Sequence, residues 1–197
     1  MKMTGRSIDR RVARTRAMLH DALLSLLEKK AYETITVEDI CARANVGRST
    51  FYAHYTSKDD LMRSGLKQLR ELLLDRQRDA AVPRDETGQG LSFSLTMFEH
   101  ARDHMHLHRT LVGNRGGVIA FGTIRQILGD LVRGELAADS VKNSKNAAPR
   151  ELIVQFVVGA YMAVVTWWLE GGAKLAPQQI DAVFRRLATK GIASLRS

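Results

Sequence analysis

Six polar side chains crowd the stretch from residue 48 to residue 58: Arg48, Ser49, Thr50, Tyr52, His54 and Lys58. Their chemistry is that of contacts to a nucleic-acid duplex. A planar guanidinium such as Arg48 matches the O6 and N7 edge of guanine in bidentate fashion. Ser49 and Thr50 are short hydroxyls for bases or phosphates, and the threonine methyl suits the methyl of thymine. Tyr52, His54 and Lys58 are expected on flanking phosphates, contacts that fix register without reading sequence. A second basic group, Lys2, Arg6, Arg10, Arg11, Arg14 and Arg16, faces the single acid Asp9 within residues 1–16 and reads as a phosphate-seeking arm.

Side chains on residues 48–58 can only enter a groove if something braces them. Upstream, Thr36 has the hydroxyl of an N-cap and Asp39 stands three residues on, as in a capping box. Val37, Ile40 and Cys41 give that helix a buried side, and it ends near Arg43 and Ala44. Asn45 falls where a tight turn needs a left-handed residue, which asparagine tolerates better than most. A second short helix is expected from Gly47 to about Tyr55, and Thr36 joins the residues assigned to the DNA face. Before this pair, the spacing of Val12, Leu19, Leu23, Leu26 and Leu27 predicts a helix from about Ile8 to Lys30. Two short helices joined by a tight turn form a helix-turn-helix, whose second member enters the major groove.

The stretch Thr36–Leu61 resembles the DNA-binding domain of the tetracycline-repressor (TetR) family of bacterial regulators. Thr36, Val37, Ile40, Ala44, Val46, Thr50, Tyr52, His54, Lys58 and Leu61 carry the likeness, which covers about residues 10–62. Cys41 stands where alanine is usual, Asn45 in place of the turn glycine, and Gly47 in place of the serine that caps the recognition helix. The glycine cap is expected to cost only a few tenths of a kcal/mol. Tyr55 replaces the commoner phenylalanine and is expected in the core. The resemblance implies a homodimer on a palindromic operator, usually a repressor. It also implies that a small molecule in the C-terminal domain spreads the two DNA-binding heads and frees the DNA.

The rest of the chain reads as helical. Ser57 caps a fourth helix that continues to about Ala81, and residues 83–90 (PRDETGQG) form the clearest break. Further helices are expected near 91–104, 105–112, 117–138, 149–171 and 177–195. The fold class is therefore all-α: a three-helix helix-turn-helix domain over residues 1–57, then a helical regulatory and dimerisation domain over 58–197. From Leu152 to Leu169 there are 18 residues without a charge, the lower edge of membrane-spanning length. Close flanking charges and the amphipathic helix that follows favour burial in a core and a subunit interface, and no membrane is expected. Gly159 and Ala163 would allow close approach of that helix to a partner, with Ile180, Val183, Phe184, Leu187 and Leu195 as the matching stripe.

Phe93, Met97, Phe98, Met105, Phe121, Tyr161 and Trp167 are candidates to line an apolar effector cavity. His100, His104, His106 and His108 have helical i, i+4 spacings, but no thiolate stands near them and no metal or other cofactor is expected. Phosphate loops, nucleophile elbows and paired catalytic carboxylates are missing from the sequence, so it does not read as an enzyme. The net charge of +9 and pI near 10 favour an acidic partner. The single cysteine excludes an internal disulfide and suits a cytoplasmic protein. A constitutive DNA-binding regulator with no effector is the alternative reading.

Overall fold

A computed structural model of the chain describes residues 4–79, 91, 93–138 and 149–193. Its helices are α1 (Thr4–Leu27), α2 (Val37–Ala44), α3 (Arg48–Tyr52), α4 (Lys58–Asp79), α5 (Phe93–Asp103), α6 (Met105–Leu111), α7 (Arg115–Ala138), α8 (Arg150–Glu170) and α9 (Pro177–Ala193). A single 3-10 turn, Tyr32–Thr34, lies between α1 and α2, and the described residues contain no strand. The fold is all-α, with an N-terminal helix-turn-helix and a helical C-terminal region.

Two compact units share the chain, and neither is one continuous stretch. The first comprises Met1–Gln68 and His106–Gly122; the second comprises Leu69–Met105 and Thr123–Ser197. The sequence reading closed its first domain at residue 57, whereas this unit also takes the start of α4, α6 and the first turns of α7. Apolar side chains explain the inclusion. Leu107 and Leu111 of α6 and Ala120 of α7 are buried together with Leu19, Leu23, Leu27, Tyr32, Ile40, Phe51 and Leu61. Asn114 caps α7 by accepting the Gly117 N–H at 2.9 Å, as an N-cap side chain does.

In the second unit α5, α8 and α9 pack on one another around aromatic rings. Phe98 is central: its ring lies 4.8 Å from Tyr161, 5.6 Å from Trp168 and 6.0 Å from Phe184. Edge-to-face contacts dominate, the arrangement that ring quadrupoles favour. Three expectations from the sequence change here. Ile180 and Phe184, assigned to a subunit interface, are 3% and 2% exposed inside this unit's own core. The expected effector set is divided, because Phe93, Met97 and Tyr161 are buried in this core whereas Phe121 packs against the core of the first unit. Trp167 lines no interior at all, being 65% exposed, and Met105 is half-buried at the start of α6. Leu195 lies outside the described residues.

By length and composition α8 could cross a membrane. Instead one side of it, with Ile153, Val157, Tyr161 and Trp168, is buried in the unit. The opposite side exposes Leu152, Phe156, Ala163 and Trp167, and α9 exposes Val183 and Leu187. Ser94 and Asp181 form a buried polar pair within this apolar setting. Ser94 Oγ is also 2.8 Å from the Leu91 carbonyl, and a hydroxyl has one hydrogen to give. The pair is fully satisfied when Asp181 carries a proton and donates to Ser94, and burial pushes the Asp181 carboxyl in that direction.

Two glycines of α7 separate a forced from a free position. A Cβ on Gly117 would stand 2.0 Å from the Leu111 carbonyl oxygen, while one on Gly122 would meet nothing within 4 Å. Gly117→Ala should therefore lose about 1–3 kcal/mol through overpacking. Gly122→Ala should hold or gain about 0.5–1 kcal/mol, because alanine loses less entropy in a helix. Urea denaturation followed by circular dichroism checks both; equal midpoints for the two variants would contradict the packing of α6 against α7.

Candidate nucleic-acid interface

The first short helix is built from both ends. Thr36, extended at φ −100° and ψ 163°, accepts the Asp39 N–H on its hydroxyl at 3.1 Å, and Asp39 Oδ2 takes the Thr36 N–H at 2.8 Å. Lys30 reaches the same carboxylate oxygen at 2.7 Å. That hydrogen bond first, then those from Thr36, hold the Asp39 carboxyl down at about 2. At the other end Asn45 is left-handed, with φ 55° and ψ 47°, and its N–H and that of Val46 close onto the Ala42 and Cys41 carbonyls. Gly47 then starts α3 with extended backbone and no side-chain cap.

Helix α3 has only five residues, and its orientation comes from what it buries. Phe51 is fully buried and meets Tyr52 edge-on at 5.4 Å and Tyr55 at 5.9 Å. Tyr55 is a core residue at 4% exposure. With Phe51 inward, Arg48, Ser49 and Tyr52 are exposed, Thr50 is half-buried, and His54 leans on Tyr55 at 6.4 Å. The structure thus brings Arg48, Ser49 and Tyr52 onto one outward surface. Thr36 is exposed too, but its hydroxyl is occupied by the α2 cap.

Two features of this surface escaped the sequence reading. The first is Glu38 of α2, whose carboxylate lies 2.6 Å from the Arg48 guanidinium. Tyr52 first, and then Glu38, push the Arg48 guanidinium further above its ordinary value. The second is the use made of Lys58. Its ammonium donates to the carbonyls of Tyr32 and Ile35 at 2.7 Å each and of Glu33 at 3.2 Å, and sits 4.5 Å from the centre of the Tyr32 ring. An ammonium has three N–H donors, and all three are taken. Lys58 therefore braces the α1–α2 connection, where a phosphate contact was expected.

Around that brace a polar network forms. The buried Tyr32 donates its hydroxyl to Asp59 at 2.6 Å, and Arg115 of α7 reaches the other Asp59 oxygen at 2.7 Å. Burial raises the Asp59 carboxyl, but the Tyr32 and Arg115 hydrogen bonds outweigh it and bring the carboxyl below its usual range. Burial and the Asp59 hydrogen bond push the Tyr32 phenol upward. Glu33 accepts the Arg115 backbone N–H at 2.7 Å, at the start of α7. No sequence signal reveals these pairings, which join residues 56 and 82 positions apart.

The histidines divide between the units. His106 faces Glu28 at 3.3 Å and the His108 ring lies tilted 5.4 Å from Phe121, both within the first unit. In the second, the His100 and His104 rings lie 4.2 Å apart. Among the described residues no three His, Cys, Asp or Glu side chains gather in a metal-binding group.

A five-residue helix held on its neighbour by a cap, a left-handed turn and a buried phenylalanine defines a helix-turn-helix, a DNA-binding element. Residues 19–64 match the family described as bacterial regulatory proteins, tetR family, and residues 91–190 match a transcriptional regulator C-terminal region. The chain belongs to the TetR family of DNA-binding transcription regulators. An uncharacterized HTH-type transcriptional regulator of Bacillus subtilis, YxbF, is 38% identical over 81 residues, which are 41% of this chain but only 21% of that protein. A TetR transcriptional regulator from Streptococcus agalactiae is similar in structure at TM-score 0.66 and 24% identity, over 94% of this chain and 99% of that one. So is the transcriptional regulator FadR from Bacillus subtilis, solved with stearoyl-CoA, at TM-score 0.62 and 17% identity over 89% and 98% of the two chains.

Two outcomes follow from these environments. Lys58→Met keeps the stem and removes the ammonium, taking one hydrogen bond from each of three carbonyls. It should lower the melting temperature and leave the slope of log affinity against log salt unchanged, since Lys58 neutralises no phosphate. A flatter slope at unchanged stability would restore the phosphate role. His100 is held down at about 4, by burial first and then by the neighbouring His104. Its folded value lies below the unfolded one near 6.5, so the unfolded chain binds the proton first as pH falls. Stability contributed by neutral His100 is present above pH 6.5 and lost as pH falls toward about 4. Melting temperatures across that range should fall more steeply for the native chain than for His100→Leu.

Proposed function

We propose that the chain binds a two-fold symmetric operator as a homodimer, represses transcription by occupying it, and is released by a small, largely apolar effector. The single observation that carries the DNA reading is the outward surface of α3, where Arg48, Ser49 and Tyr52 stand together while Phe51 anchors the helix. Arg48 reads a guanine edge; Ser49, Thr50, Tyr52 and His54 divide between bases and phosphates; the exposed Arg11, Arg14 and Arg16 of α1 follow the backbone. Occupancy alone suffices to repress, whereas activation requires a further surface for the polymerase.

The dimer reading rests on the outer sides of α8 and α9 within the second unit. Leu152, Phe156, Trp167 and Leu187 are 59%, 52%, 65% and 66% exposed, a density of apolar groups that marks an interaction surface. Gly159 and Ala163 lie on the same side of α8 and leave room for close approach, since a Cβ at 159 would meet nothing within 4 Å. Val183 completes the stripe on α9. An aqueous dimer that covers this stripe, and no membrane, accounts for the uncharged helix in a cytoplasmic protein. For the effector, support comes from Tyr161, whose fully buried hydroxyl has no hydrogen-bond partner among the described residues, inside the ring cluster of Phe93, Phe98 and Phe184. FadR, of similar fold, was solved with a ligand bearing a long acyl chain.

Selection from a randomised duplex library tests the whole reading. The native chain should enrich a two-fold symmetric site with half-sites about one helical turn apart. Leu187→Glu, at a side chain outside the unit's core, should yield a folded monomer in sedimentation that loses that site. Arg48→Ala should cost roughly 1–3 kcal/mol on it and relax one base pair per half-site. Enrichment of no symmetric site, or a monomeric native chain that binds as well, would refute the proposal.

A further inference from the structure

Glu38 is an acid on the surface that must approach DNA, and the cap of α2 is built without it. The capping box uses Asp39, whose carboxylate is turned to Thr36 and Lys30. Glu38 instead points across to α3, where Oε1 lies 2.6 Å from Nη1 of Arg48, ten residues on. The Arg48 and Glu38 side chains are 60% and 70% exposed, so the pair contributes little to stability in water. Its effect on DNA is larger. A lone guanidinium at the start of a recognition helix binds any phosphate within reach, and that binding carries no sequence information. Paired with a carboxylate it has no net charge to offer a phosphate. The same carboxylate repels the backbone of a wrongly seated duplex.

What the pair retains is geometry. A guanidinium has five N–H donors in a planar fork, and the bond from Nη1 to Glu38 leaves others for the O6 and N7 edge of guanine. We propose that Glu38 is a positioning residue that converts Arg48 from a phosphate contact into a base reader, lowering affinity for DNA at large to gain sequence preference. The inference rests on the assignment of Arg48 as the base-reading side chain.

Glu38→Gln in the full chain tests this, since it keeps the shape and removes the charge. The probes are the duplex enriched from the randomised library by the native chain and a scrambled duplex of the same length. Affinity for the scrambled duplex should rise, and the slope of log affinity against log salt should steepen by roughly one unit per subunit. The ratio of the two affinities should fall by about tenfold, with the lost preference confined to the base pair that Arg48→Ala relaxes. A residue that only stabilised α2 would lower the melting temperature and weaken both duplexes by the same factor, and that result overturns the proposal. In the Arg48→Ala background, Glu38→Gln should no longer alter any base preference; a persistent change means that Glu38 acts alone. If Arg48→Ala relaxes one pair and Glu38→Gln relaxes none, this inference fails while the reading of Arg48 stands. If Arg48→Ala relaxes no pair, the reading of Arg48 fails and this inference with it.

Discussion

Between α1 and α2 the chain runs through a single 3-10 turn, too short to satisfy its own carbonyls in full. The Lys58 ammonium collects three of these, from Tyr32, Glu33 and Ile35, while its stem starts α4. Burial pulls the Lys58 pKa down, a cost that charged hydrogen bonds to three carbonyls offset. Much of the unit depends on this one cation. It fixes the backbone around the buried Tyr32, whose hydroxyl holds Asp59, which in turn holds Arg115 on α7. The connection between α1 and α2, the first turn of α4 and the first turn of α7 are thus joined by side chains whose charges alternate in sign.

Helix α3 owes its position to its surroundings. An isolated helix of five residues has too few hydrogen bonds to repay its nucleation. α3 survives as one wall of a core, pinned by Phe51 and Tyr55 and aimed by the left-handed turn at Asn45. Anything that shifts α2 or the start of α4 shifts α3 as well. The surface proposed for DNA is correspondingly small, and each side chain on it needs a definite orientation. The Glu38 contact supplies that for Arg48, and the edge-on packing against Phe51 supplies it for Tyr52.

Local features of this site were legible in the sequence because their causes are local. A threonine with an aspartate three residues on forms the expected cap, and Asn45 adopts the expected turn. Ser57 likewise accepts the Asp60 N–H at 3.2 Å at the start of α4. Lys58 reads from sequence as a phosphate contact because its three partners lie 23 to 26 positions earlier, beyond any periodicity. The enlistment of α6 and α7 into the first unit was hidden for the same reason, as was the Arg115–Asp59 pair. On α8 a different cause operated. A helix apolar on nearly all sides has no pattern to distinguish a buried Trp168 from an exposed Trp167.

The same helix carries two kinds of chemistry on its two sides, and the contrast bears on regulation. Its outer side is apolar and exposed, which costs solubility unless covered. Its inner side buries Tyr161, whose hydroxyl is stripped of water with no protein partner among the described residues, at a cost on the order of 1–3 kcal/mol. Phenylalanine would fill the same space among Phe93, Phe98 and Phe184 without that cost. Packing therefore does not explain the hydroxyl. Ser94 and Asp181 satisfy one another nearby, and burial pushes the Tyr161 phenol well above its ordinary value, so the group is a neutral donor. On the proposal of a largely apolar effector, a neutral donor within an aromatic core is the group that would meet a single acceptor on it.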